Sequence, residues 1–77
     1  MDVKILCFGP LAEQMGWREK TLLVEKNSTI ESILVDLEIA EWLNAGLRIS
    51  MNDNFVDCDT KIQYECEIVL LPPVSGG

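Results

Sequence analysis

The sequence predicts an α+β fold in which one main helix packs across one face of a sheet. Three observations carry that reading. Apolar, strand-like runs stand at both ends of the chain, at 3–8 and 65–71. One stretch has strong helical spacing: Ile30, Ile33, Leu34 and Leu37 follow the i, i+3, i+4, i+7 pattern of a single apolar face. The element order, β-(short α)-β-α-β-β-β, lacks the regular strand–helix alternation of a parallel α/β sheet.

The first strand is read at 3–8. Val3, Ile5 and Cys7 face the core, and Lys4, Leu6 and Phe8 face the other way. Gly9-Pro10 opens a short helix, because proline suits the first helical position. Leu11 and Met15 share one side of it, and Gly16 is its stop. A second strand is expected at 21–25, with Leu22 and Val24 inward. Ser28-x-x-Glu31 reads as a capping box for the main helix. Asp36 and Glu38 fall on its polar side. A shorter helical piece at 40–45 is anchored by Trp42 and Leu43 and stopped by Gly46. The third strand is read at 47–51. Asn52-Asp53-Asn54 supplies turn chemistry, because Asn and Asp tolerate left-handed backbone. Phe55-Val56 is a short return strand. Residues 57–63 read as loop with Ile62 tucked inward.

Seventy-seven residues, 48% of them hydrophobic and 25% charged, allow one small globular domain. Its boundaries are expected at 1–71, followed by an extended tail at 72–77 that is mobile at the tip. The net charge of −7 disfavours nucleic acid and anionic membrane surfaces, which need Lys/Arg patches. It suits a basic partner surface. The chain holds no apolar run long enough for a membrane span and no signal peptide, so a cytoplasmic location is expected. Three cysteines without a C-x-x-C and no histidine argue against a disulfide framework or a metal centre. Cys7 and Cys66 read as buried hydrophobes. Cys58 reads as an exposed thiol kept protonated by its acidic neighbours.

The chain supplies little for catalysis by itself: no histidine, no phosphate loop and no Gly-x-Ser-x-Gly. The tail is different. Pro72-Pro73 makes a stiff stem, because proline fixes its own φ and biases its predecessor toward extended backbone. Gly76 and Gly77 have no side chains, so they can pass a channel too narrow for other residues. Six extended residues reach about 20 Å. The Gly77 α-carboxylate is then the expected reactive group. It is an unreactive acyl group until an external enzyme adenylates it with ATP. Sulfur capture would give a thiocarboxylate; capture by lysine would give an isopeptide bond. A tail that is never modified, on a passive binding module, is the remaining reading. On the helix-free sheet face, Leu6, Phe8 and one apolar pair of the last strand (Ile68/Leu70 or Val69/Leu71) are expected to form a partner surface.

Leu71-Pro72-Pro73-Val74-Ser75-Gly76-Gly77 resembles the terminus of the molybdopterin synthase small subunits, a family of ubiquitin-like sulfur carriers. The segments Phe8-Gly9-Pro10-Leu11-Ala12-Glu13-Gln14-Met15-Gly16 and Met51-Asn52-Asp53-Asn54-Phe55-Val56 are similar to its first strand-helix unit and its central turn. Tyr64-Glu65-Cys66-Glu67 departs from the Gly-Asp turn usual before the family's last strand. The resemblance implies a β-grasp fold with a mixed sheet. It implies that Gly77 is adenylated by an E1-like enzyme using ATP and converted to a thiocarboxylate. It also implies a large catalytic subunit whose active site receives Pro73, Val74, Ser75 and Gly76, with Phe8 at the interface, in agreement with the partner surface expected at Leu6 and Phe8. Two small and two large subunits would assemble, and Gly77 would give sulfur to a cyclic pyranopterin phosphate to build the dithiolene of molybdopterin. No cofactor would stay bound, and the small subunit would not be catalytic alone. The family's relatives leave two alternatives: a sulfur carrier for thiamine or tRNA thiolation, and a ubiquitin-like protein modifier.

Overall fold

The computed structural model describes residues 1–73. The chain runs through strand β1 (Asp2–Cys7), helix α1 (Gly9–Met15), β2 (Glu19–Leu23), β3 (Ser28–Thr29), helix α2 (Ile30–Asp36), a 3-10 turn (Ala40–Leu43), β4 (Arg48–Met51), β5 (Asn54–Val56), β6 (Lys61–Ile62) and β7 (Cys66–Leu71). Five strands form a mixed sheet in the order β2-β1-β7-β4-β5. The first and last long strands lie side by side and parallel at its centre, with Ile5 opposite Ile68 and Cys7 opposite Leu70. The other pairs in this sheet are antiparallel. A separate ladder joins β3 to β6. This is a β-grasp sheet, with helix α2 across one face.

Alternation in the strands decides what is buried. Val3, Ile5 and Cys7 from β1 and Ile68 and Leu70 from β7 point to the helix side. They meet Ile30, Ile33 and Leu34 from α2, with Leu11 and Ala12 from α1 in the same cluster. The two α-helices each have 7 residues, so α1 equals the expected main helix in length. Pro10 and the left-handed Gly16, φ 83°, bound α1 as read from sequence. Ile39, which the helical spacing did not mark, is fully buried just beyond α2.

The cap of α2 corrects the capping-box reading. Thr29, not Ser28, is the N-cap: its Oγ1 accepts from the Ser32 N–H at 3.2 Å, and the Ser32 hydroxyl donates back to the Thr29 carbonyl at 2.6 Å. Ser28 is held in the β3–β6 ladder opposite Ile62. Glu31 turns its N–H to the Cys58 carbonyl at 2.7 Å and cannot close the box. The same ladder corrects the loop expected at 57–63, because Lys61 and Ile62 are paired strand. Strand β2 begins two residues earlier than expected and stops at Leu23, and Phe8 falls just past the end of β1. The positions facing the core survive that shift: Val24 is buried and Leu22 packs against the core.

Asn52 and Asp53 both take positive φ, 49° and 71°, which makes the two-residue β4–β5 turn match the twist of its strands. Asn52 also ties that turn to the central strand. Its N–H donates to the Glu67 carbonyl, and its Oδ1 accepts from the Glu67 N–H, both at 3.0 Å.

The relocated cap gives a direct prediction. Thr29→Ala should cost about 1 kcal/mol of stability. Ser28→Ala should stay within about 0.5 kcal/mol, as surface changes do. Urea unfolding of the two variants checks the order; a larger loss at Ser28 would restore the original capping box.

Candidate functional site

The site begins where the central strand stops. Leu71 pairs with Arg48 on β4, and Leu70 pairs with Cys7 on β1. Pro72 has no N–H to give either neighbour, so the ladder cannot continue. The chain therefore leaves the middle of the sheet rather than an edge. Pro72 and Pro73 are half-buried as they go. Of the expected tail residues, Pro73 is described; Val74, Ser75, Gly76 and Gly77 lie outside the described residues.

The helix-free face is ordered by register. One row across it reads Glu19, Leu6, Val69, Ser50, Phe55. The next, toward the exit, holds Leu71 beside Arg48. Phe8 follows Cys7 with extended backbone, φ −139° and ψ 165°, which continues the alternation and turns its ring to this face. Leu6 is half-buried, and Phe8 and Phe55 are 46% and 60% exposed. The apolar pair of the last strand on this face is Val69/Leu71; Ile68/Leu70 belongs to the core. Acidic groups gather at the opposite end, where the Asp2 N–H donates to the Glu65 carboxylate at 3.1 Å.

Sequence reasoning brought Leu6 and Phe8 to this face and missed Arg48 and Phe55. The Arg48 guanidinium sits 4.1 Å from the centre of the Phe55 ring, a cation–π contact. The turn read from sequence at Asn52-Asp53-Asn54 is shorter by one: Asn54 belongs to β5, and the two-residue turn Asn52-Asp53 sets Ser50 opposite Phe55, which puts Arg48 and Phe55 on one face. Backbone geometry also adds two glycines. Gly9 and Gly46, both at positive φ, lie beside Pro72 and Pro73 respectively.

The thiols offer no reactive centre. Cys7 is buried as expected, Cys66 only half-buried because it stands at the start of β7, and burial pushes both pKa values up. Cys7 Sγ donates to the Trp17 carbonyl at 3.1 Å. Cys58 is half-buried rather than exposed. Its pKa is raised first by burial, then by the charge and hydrogen bond of Glu31, whose Oε2 accepts from Sγ at 3.7 Å, and by Asp59. All three therefore favour the protonated form. Among the described residues, no group of three or more His, Cys, Asp or Glu is placed to hold a metal ion. No helix among them is long and apolar enough to cross a membrane.

Known proteins are similar to this chain in sequence and fold. The ThiS family matches residues 5–77. A molybdopterin synthase sulfur carrier subunit from Arabidopsis thaliana is 25% identical over 81 residues, spanning 100% of this chain and 84% of the relative. Among solved structures, a protein–protein complex of subunits 1 and 2 of the molybdopterin-converting factor from Helicobacter pylori contains a chain 30% identical to this one. It covers 100% of both chains with a TM-score of 0.66. Small archaeal modifier protein 1 from Methanosarcina acetivorans is 26% identical, covers 99% and 96% of the two chains, and has a TM-score of 0.72.

Proposed function

This chain belongs to the ThiS family, and we propose that it works as a sulfur carrier, as the small subunit of a molybdopterin synthase. The observation that supports this best is the exit of the chain. The central strand ends in a diproline stem beside an apolar face, and the sequence then continues Val74-Ser75-Gly76-Gly77. The body docks and the tail delivers. Leu6, Phe8, Val69, Leu71 and Phe55 give the docking surface its apolar area, and Arg48 adds a cation stacked on Phe55.

The chemistry is carried by the Gly77 carboxylate. A carboxylate oxygen attacks the α-phosphorus of ATP on an E1-like enzyme, and pyrophosphate leaves. A sulfide-level nucleophile then attacks the acyl carbon, AMP leaves, and the product is a thiocarboxylate. On the large subunit that sulfur attacks a side-chain carbon of the cyclic pyranopterin phosphate, and the C–O bond to the ring phosphate breaks, which opens the cyclic ester. Water cleaves the resulting thioester to return the Gly77 carboxylate and leave the sulfur on the pterin. A second thiocarboxylate supplies the other dithiolene sulfur in the same way, with an oxygen leaving as water. The chain itself supplies reach and a slender tip; the acid–base groups belong to its partners. Pro73, Val74, Ser75 and Gly76 would line the partner's channel. The assembly would hold two copies of each subunit in the cytoplasm, with ATP bound only by the activating enzyme.

The Pro-Pro-Val stem and the Arabidopsis relative favour molybdopterin over thiamine or tRNA thiolation as the destination. The likeness to an archaeal modifier supports one other reading, in which the same adenylate is captured by a lysine amine of a target protein.

Two measurements test these halves separately. Intact mass after incubation with the activating enzyme, ATP and a sulfur donor should show one oxygen replaced by sulfur, located at Gly77. Conjugates to lysine would move the chain to the modifier reading, and an unchanged mass would overturn both. Phe8→Ala should raise the dissociation constant for the large subunit about tenfold, the usual scale for losing an aromatic anchor. Titration calorimetry showing an unchanged constant would remove Phe8 from the interface.

A further inference from the structure

The stem is seated between two bare stretches of backbone. A Cβ placed on Gly9 would lie 3.8 Å from Pro72 Cγ, and one on Gly46 would lie 3.5 Å from Pro73 Cβ. Gly9 stands just past the end of β1, and Gly46 just before the start of β4. These are the two strands that flank β7. The glycines therefore stand on opposite sides of the strand that carries the stem. Both walls are fixed from behind. The Ala12 N–H donates to the Phe8 carbonyl at 3.3 Å, and the Leu47 N–H donates to the Trp42 carbonyl at 3.0 Å.

We propose that Gly9 and Gly46 are positioning residues that seat the diproline stem and set the direction in which the tail leaves the body. This deepens the sulfur-carrier reading and rests on it. The two prolines are stiff in themselves, but a stiff rod still needs a fixed base. Four further residues, fully extended, span about 13 Å. A tilt at the base is partly absorbed by the two terminal glycines, so only a fraction of it reaches the tip. Misplacement on the order of 1 Å in an active site can cost about a hundredfold in rate.

The two walls differ in tolerance. Gly9, at φ 57°, is also in the positive-φ region where an L side chain is strained, but near the left-handed minimum that Asn and Asp visit, and a methyl there would make an ordinary contact with Pro72. Gly46, at φ 102°, lies where a side chain is strained whatever the space. Alanine at position 46 must shift the backbone that faces Pro73, and alanine at position 9 strains its wall less, because φ 57° is closer to what an L residue can adopt than φ 102°.

The test is ATP–pyrophosphate exchange with the activating enzyme, with the full chain as the varied substrate. Gly46→Ala should lower kcat about tenfold and leave KM within about twofold, because the docking face is untouched and the tip is misaimed. A merely unfolded fraction would raise the apparent KM and leave kcat alone. Gly9→Ala should change kcat by less than about threefold. Pro73→Gly, which unseats the stem at the chain's end without strain in the body, should reproduce the kcat loss if Gly46→Ala folds poorly. Adding Gly46→Ala to Pro73→Gly should then cost nothing more. Wild-type kcat in Gly46→Ala, or in Pro73→Gly where Gly46→Ala folds poorly, would overturn the seat while leaving the sulfur carrier standing. A wild-type chain that is never adenylated would overturn the carrier reading and the seat with it.

Discussion

The parallel pairing of the first and last long strands is the constraint on which the rest depends. It sets Val3, Ile5 and Cys7 beside Cys66, Ile68 and Leu70 in the middle of the sheet. That register gives helix α2 a continuous apolar floor for Ile30, Ile33 and Leu34. It also decides where the chain comes out. A last strand at an edge would release its tail beside unpaired backbone. A last strand at the centre releases it between two neighbours, Phe8 on one side and Arg48 on the other. A one-residue slip of β1 against β7 would turn Leu6 into the core and Ile5 out to the apolar face. Fold and function are therefore specified by the same register.

The division of labour follows from what the chain has and lacks. Its sulfur atoms sit where burial, and for Cys58 also Glu31 and Asp59, hold them protonated. A backbone carboxylate carries no such history, and any partner that adenylates it can use it. The reading therefore gives the body two tasks, presenting an apolar face and aiming a thin tail. The stem joins them. Proline ends the sheet because it lacks an N–H, and the same residue stiffens what comes next. One chemical fact thus marks both the end of the fold and the start of the tail.

Much of this was legible in the sequence, for stated reasons. Period-two alternation placed Val3, Ile5 and Cys7 inside, and period 3.6 placed Ile30, Ile33 and Leu34 against them. Gly16 and the Asn52-Asp53 turn were readable because positive φ narrows the choice of residue. The errors arose where long-range pairing overrode local chemistry. Ser28 and Glu31 have the spacing of a capping box, yet Ser28 pairs with Ile62 and Glu31 bonds to Cys58, more than 20 residues away. At the candidate site, Leu6 and Phe8 were readable from one strand alone. Arg48 and Phe55 needed the registers of β4 with β5 and β7. The roles of Gly9 and Gly46 needed the third dimension, because nothing local links them to Pro72 and Pro73.

The central claim is that docking and chemistry are separable, with the chemistry confined to the last glycines. Removing Gly76 and Gly77 tests it most directly. The shortened chain should unfold at the same urea concentration as the full one and show no ATP–pyrophosphate exchange with the activating enzyme. Exchange that persists at the full chain's rate would contradict the account, because a group other than the Gly77 carboxylate would then be accepting the adenylate.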